Sequence, residues 1–398
     1  MTESEKILHE AEALEEYMIA CRREIHGYGE TGFITEKTLA LISSELQKMG
    51  IESQSCGKAG LVALICKSEG ECFLLRADID ALPIKEETAL PFAAQKGGFH
   101  GCGHDVHAAM LLGAARVLKN HEKELSHSVK LMFQSAEEIL AGAKDMVENG
   151  VLHAPEVGGA MMLHVMTAVP MEAGSIVVAS EGISAPAADY FRIKIAGRGC
   201  HGSSPHLGID PVSAAAHIIC ALEHIHAREL AMGEKAALTV GAIKGAESAN
   251  VIPDSLTLEG TMRAFSEATR EKIKRRIGEI ASGVASALGA KAETEFYQGC
   301  PALKNDGEMV NMALNCAREL LDEEKVFYAG DLPAGQVSGS EDFAYVAEKV
   351  PSVMVALAAG EEKKGYKYGL HHPKADFDEK AMVNGAALLA WCAMGWRK

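Results

Sequence analysis

Positive charge is in short supply: 39 Lys and Arg stand against 55 Asp and Glu, a formal net charge of −16. Affinity for a phosphate backbone comes from clustered cations, so a nucleic-acid role is excluded. Long apolar runs are missing too. No stretch approaches the roughly 20 apolar residues that span a bilayer, which excludes a membrane span. The opening segment MTESEKILHEAEALEEYM is acidic and amphipathic, without the basic start and unbroken apolar stretch of an export signal; the expected location is cytoplasmic. In that reducing setting the ten cysteines are expected as thiols, most of them small interior hydrophobes, and not as a disulfide framework. Internal repeats and low-complexity tracts are absent. At 48% hydrophobic and 24% charged residues, the composition is that of a soluble α/β protein.

A chain of 398 residues predicts two domains. Ile7, Ala11, Leu14 and Met18 recur at helical spacing, and Thr2 with Glu5 has the spacing of a capping box. Apolar runs then alternate with helical patterns: GLVALIC, CFLLRAD, VKLMFQ and AMMLHV as strands, HAAMLLGAARVL and AGAKDMVENG as helices. Strands apolar along their whole length predict a mostly parallel sheet covered on both faces by helices. Near Ser184 the texture changes to a β-α-β-β-α-β order, that of a ferredoxin-like α+β unit, expected as an insertion over residues 185–298. The α/β texture resumes afterwards, with a closing helix expected from Asp378.

The densest chemical cluster is FHGCGHDVHAAM, with Cys102, His104, Asp105 and His107 on a Gly-rich turn before a helix. Thiol and imidazole on one turn suit a borderline-soft ion such as zinc; taken alone, the cluster reads equally as a structural turn with a buried thiol and surface histidines. The doublet Glu137–Glu138 ends an apolar strand. A solvated loop is the commoner setting for two adjacent acids, but open α/β sheets bind ligands at the carboxyl ends of parallel strands, where one acid can serve as ligand and the other as general base. Asp78, Asp80 and His164 also follow buried-type strands, and an ionisable group there is costly unless paired or bound. Asp80 is expected to orient a ligand histidine through its other ring nitrogen. His371 and His372 lie in a Pro-containing loop before the last helix, either a ligand or polar surface.

The blocks RREIHGYGETGF, LLRADIDALP, HGCGHDVHAAMLLGAA, FQSAEE, GRGCHGSSPH, NVIPDSLTLEGTMR and LHHPKADFDE resemble the successive signatures of the M20 metallopeptidase family, in family order over nearly the whole chain. Within it, the resemblance is to the aminoacylase, hippurate hydrolase and auxin-conjugate amidohydrolase branch. It implies a zinc-exopeptidase-like catalytic domain over 1–184 and 299–398, with 185–298 as an inserted lid and dimerisation domain. It further implies two divalent ions per subunit held by Cys102, His104, Glu138, His164 and His371, zinc first, with manganese, cobalt or nickel as alternatives. Glu137 becomes the acid/base, and His201 the residue polarising the scissile carbonyl, reaching into the partner subunit of a homodimer. Asn250 and Arg263 become the holders of the substrate carboxylate. The implied reaction is hydrolysis of small N-acyl-amino acids, with a two-metal dipeptidase or aminopeptidase as the alternative. A cysteine hydrolase with Cys102 as nucleophile and His104 or His107 as base is the rival from another class. Three features depart from the branch: Ser135 and the ILAGA run around the doublet, His372, and VMTAVPMEAG after His164 without a Trp-Pro. All bear on the acyl pocket.

Overall fold

The computed structural model describes residues 1–66, 70–332 and 339–396. Two compact units form. Met1–Ser184, with later segments beginning at Leu303 and Glu341, makes the first, and Ala185–Ala302 the body of the second. The strands of the two main sheets, in chain order, are β1 (Ser53–Cys56), β2 (Gly60–Ile65), β3 (Cys72–Asp78), β4 (Ser128–Gln134), β5 (Val157–Met166) and β6 (Ile176–Val178). Then come β7 (Ala187–Ala196), β8 (Ala236–Lys244), β9 (Ser255–Ala264), β10 (Lys291–Cys300), β11 (Val326–Tyr328) and β12 (Ser352–Ala358). The longer helices are α1 (Glu3–Glu12), α2 (Glu15–Tyr28), α3 (Glu36–Lys48), α4 (His104–Asn120), α5 (Gly142–Glu148), α6 (Pro211–His224), α7 (Glu267–Ala287), α8 (Gly307–Leu320) and α9 (Ala381–Gly395).

In the first unit an eight-stranded sheet runs β1-β2-β4-β3-β5-β12-β6-β11. Its centre, β4-β3-β5-β12, is parallel throughout, while β1–β2, β2–β4 and β12–β6 pair antiparallel. Every residue of β3 and β4 is buried, as expected for strands covered on both faces. Helix α9 is buried nearly all round and lies against α4. The contact is close because Gly385 lacks a side chain: a Cβ there would stand 2.2 Å from the Met110 sulfur. α1 begins with the capping box of Thr2 and Glu5. α9 starts at Ala381 and not at Asp378, because the Asp378 carboxylate accepts from the backbone N–H of Lys380, a side-chain turn that delays the helix.

The second unit is a β-α-β-β-α-β sequence, β7-α6-β8-β9-α7-β10, folded as an antiparallel sheet in the order β8-β9-β7-β10. Alternation in β7 buries Phe191, Ile193 and Ile195 against α6 and α7 and leaves Arg192 and Lys194 outward. Its last strand runs to Cys300, two positions beyond the boundary read from sequence. No helix among the described residues is long and apolar enough to cross a membrane.

The first unit's core gives a direct check. Phe73, fully buried in β3 and packed on Trp396 at a ring separation of 5.5 Å, leaves a large void when truncated. Phe73→Ala is expected to lower unfolding free energy by about 3–5 kcal/mol, read from urea denaturation.

Candidate metal centre

The site is built on the carboxyl ends of β3, β4 and β5. Between β3 and α4 the chain turns through Gly103, whose φ of 84° and close approach to Val165, 2.3 Å from where a Cβ would stand, admit only glycine. That turn presents Cys102 and His104 beside His164 of β5. The Cys102 sulfur lies 3.6 Å from His164 Nε2 and 3.2 Å from His371 Nε2, and His371 Nε2 lies 3.6 Å from a Glu138 carboxylate oxygen. Three donor groupings share these residues: Cys102 with His104 and His164, Cys102 with Glu138 and His371, and His104 with Glu137 and Glu138. Cys102, His104, Glu137, Glu138, His164 and His371, read from four separate stretches of sequence, are thus neighbours.

Two observations fit this donor set to cations. His104 Nε2 and Glu138 Oε1 stand 3.9 Å apart, buried, with no hydrogen-bond partner among the described residues; buried polar atoms are rarely left so without an ion or water between them. Both inward histidines also have their other nitrogen fixed by a backbone carbonyl, His104 Nδ1 on Asp80 O and His164 Nδ1 on Val165 O, each at 2.8 Å. A carbonyl accepts only from N–H, so in each neutral ring Nε2 carries the lone pair, with Asp78 3.6 Å from that of His104 and the Cys102 sulfur 3.6 Å from that of His164, the arrangement metal-binding imidazoles adopt. Thiol, imidazole and carboxylate together suit zinc and its borderline-soft neighbours.

His107 is close enough to Asp78 and His104 to be grouped with them, but its nitrogens are spoken for. Nδ1 donates to Asp78 at 2.5 Å, and Nε2 accepts from the backbone N–H of Val165 at 2.8 Å. It struts α4 against β3 and β5 and has no lone pair to offer. Burial lowers its pKa to about 4, only partly opposed by Asp78. Asp80 differs in detail from the expectation. Its backbone carbonyl, not its carboxylate, takes the His104 proton; the carboxylate accepts from the backbone N–H groups of Glu137 at 3.0 Å and Glu138 at 3.4 Å.

Glu137 is buried, and burial first, then Glu341 and Asp342, push its carboxyl well above the usual carboxylate range. A buried carboxyl perturbed in this way, beside a cluster of donors, is a candidate acid/base. Glu137, Glu341 and Asp342 form a further acidic grouping, but its cation is Arg76, whose Nη2 lies 3.0 Å from both Glu341 and Asp342. Sequence reading passed over Arg76, Glu341 and Asp342. The available signal was an arginine inside an otherwise apolar strand, which must find acids to be buried.

The remaining sequence candidates belong to the second unit. His201, exposed, pairs with Val251 across a two-residue ladder, and Gly202 N–H donates to Asn250 O, so His201 and Asn250 are neighbours. His201 Nδ1 accepts from Ser203 N–H at 3.1 Å and lies 2.8 Å from its hydroxyl, which puts the ring proton on Nε2. Asn250 Oδ1 accepts from Ser248. Arg263, on β9, donates to Thr261 and to Met262 O and lies over the Tyr190 ring.

Behind the donors a second buried network anchors α4. Asp105 accepts from Arg22 Nε at 3.2 Å and from His26 Nδ1 at 2.8 Å, and His26 Nε2 reaches Glu86 at 3.2 Å. Burial opposes charge on His26, yet Asp105 and Glu86 prevail and raise its pKa from 6.5 to about 9. A raised folded-state pKa gives stabilisation that is whole below the unfolded value and fades as pH rises through the folded one. Wild-type unfolding free energy is therefore expected to fall between pH 6.5 and about 9, and His26→Gln to flatten that fall; denaturant titrations giving parallel curves for the two proteins would sink this assignment.

Comparison with known proteins places this geometry. The chain is 36% identical over 383 residues to N-acetyl-L-cysteine deacetylase of Bacillus subtilis (strain 168), covering 94% of this chain and 87% of the relative. It is 34% identical over 381 residues to the Arabidopsis thaliana IAA-amino acid hydrolase ILR1-like 5, covering 94% and 85%. Among solved structures, the Bacillus subtilis YXEP protein, described as a dinuclear metal binding peptidase from the M20 family, matches with a TM-score of 0.77 at 33% identity, over 96% of this chain and 98% of that one. Residues 74–394 match the family model itself, and the chain belongs to peptidase family M20/M25/M40.

Proposed function

We propose that the chain hydrolyses the amide bond of N-acyl-amino acids, N-acetyl or N-benzoyl in type, releasing a carboxylic acid and a free amino acid. The observation that carries this reading is a buried Glu137 carboxyl set beside a thiol-imidazole-carboxylate donor set. The deacetylase and IAA-amino acid hydrolase relatives support the substrate class. Cys102, His104, Glu138, His164 and His371 are the proposed ligands of two divalent ions, zinc first. Bound there, the ions supply Lewis acidity, drawing electron density from the carbonyl and lowering the pKa of water towards neutrality.

Glu137 takes a proton from water, whose oxygen forms a bond to the amide carbon. The carbon–nitrogen bond then breaks, and the nitrogen leaves with the proton Glu137 held. His201, with its proton on Nε2, is suited to donate to the carbonyl oxygen as charge develops there. Asn250 and the guanidinium fork of Arg263 are proposed to hold the substrate carboxylate. We assign the second unit as a lid and dimerisation domain of a cytoplasmic homodimer, His201 serving the partner's site. Burial pushes the Cys102 thiol well up, which disfavours a resting thiolate nucleophile, and both nitrogens of His107 are engaged elsewhere.

Three outcomes are expected. With N-acetyl, N-benzoyl and dipeptide substrates, the acylated amino acids turn over; turnover of dipeptides alone would favour the peptidase reading. Glu137→Gln keeps its metal, by elemental analysis, while kcat falls about 10²–10⁴-fold, whereas Glu138→Gln loses metal; equal metal loss in both would reverse the roles. Finally, His201→Ala and Glu137→Gln chains, unfolded together and reassembled in equal amounts, regain about a quarter of wild-type activity if His201 serves the partner of a two-fold dimer. Mixed dimers that form without regaining activity would refute that arrangement.

A further inference from the structure

The Glu137–Glu138 pair rides on a loop between β4 and α5 that is bent against its own preference. Ala136 and Leu140, both with side chains, have φ of 61° and 51°, and left-handed backbone at such residues persists only where surroundings over-determine it. The loop closes so tightly that a Cβ on Gly142 would lie 1.6 Å from the Ser135 carbonyl oxygen. Asp80 holds its crest through the N–H groups of Glu137 and Glu138. Its two stems are held by a single carboxylate. Asp342 Oδ1 accepts from Nε2 of Gln134, the last residue of β4, at 2.7 Å, and Oδ2 accepts from the N–H of Ala143, in the first turn of α5, at 2.9 Å. Asp342 is fully buried and is itself fixed by Arg76, which donates to Oδ1 at 3.0 Å and to Gln134 Oε1 at 2.9 Å.

The geometry points to Asp342 as a positioning residue for the reaction: by closing both stems of the loop, it fixes where the Glu137 carboxylate stands. This rests on the reading of Glu137 as the acid/base. The chemistry requires aspartate, since donors approach both oxygens. Asparagine offers one acceptor and turns an NH₂ towards a donor, leaving a buried clash of like groups. Glutamate adds a methylene where no space is open to solvent.

The test is Asp342→Asn in the fully metallated enzyme. Asp342 touches neither the ligand donors nor the proposed carboxylate-binding residues, and Asp80 still holds the Glu138 N–H on the crest, so metal content and KM are expected to hold, while kcat falls about 10²-fold, the cost of displacing a reacting group by roughly an ångström. In a Glu137→Gln background the same substitution is expected to have no further effect, because no base remains to be positioned. An equal fold-loss in both backgrounds, loss of metal, or wild-type kcat in Asp342→Asn overturns the inference. If Asp342→Asn does not fold, Arg76→Lys, which keeps the charge but loses the two-pronged hold on Gln134 and Asp342, is read by the same criteria. Glu137→Gln at wild-type kcat would overturn the reading of Glu137 and this inference with it; a slow Glu137→Gln beside an unchanged Asp342→Asn overturns the inference alone.

Discussion

A guanidinium shut away from water governs the metal-facing end of the sheet. Arg76 points from the middle of β3 into the protein, and burial opposes its charge, yet Asp78, Glu341 and Asp342 outweigh that cost and hold it protonated. A buried cation left with too few acids is strongly destabilising. Arg76 therefore gathers carboxylates from its own strand and from a segment 266 positions away. Two of these carboxylates also hold a second group in place. Asp78 fixes His107, and Asp342 fixes the stems of the Glu137–Glu138 loop. The donor set is thus backed by a buried ion network, one member of which, Asp78, lies 3.6 Å from His104 Nε2.

This explains a division of labour among similar residues. His104, His107 and His164 have rings within about van der Waals reach of one another, with centroids 4.6–6.0 Å apart. What separates strut from candidate ligand is the occupancy of one lone pair, and that is set by whether Nε2 faces a backbone N–H. The carboxylates divide similarly: Asp78, Asp80 and Asp342 accept from fixed donors, whereas Glu138 keeps an oxygen free.

Much of this was legible in sequence, for physical reasons. Strands buried on both faces are apolar throughout, so β3, β4 and β5 announced themselves, and residues with donor chemistry at their ends marked the site. Cys102, His104, Glu137, Glu138, His164 and His371 could be read because each sits beside a turn or strand end. Asp342 and Glu341 could not, since they lie in SGSEDF, a stretch without strand or helix periodicity, and acquire meaning only from Arg76 across the fold. The Asp80 detail was beyond reach for another reason: carbonyl and carboxylate belong to the same residue, and only coordinates distinguish which one meets His104. His107 likewise shares a motif with the candidate ligands Cys102 and His104, and its hydrogen bonds set it apart from them.

The order in which the donors leave the ribosome has its own consequence. Cys102 and His371, which face each other across 3.2 Å, are separated by 269 positions, with the whole second unit made between them. At about 5–20 residues per second, the thiol waits on the order of tens of seconds for its last imidazole neighbour. Through that interval the first unit lacks α9, the helix that packs on α4, as well as His371. The grouping of Cys102 with Glu138 and His371 is therefore completed late in the life of each chain, and a chain truncated before residue 371 carries a thiol with no complete set of neighbours to shelter it.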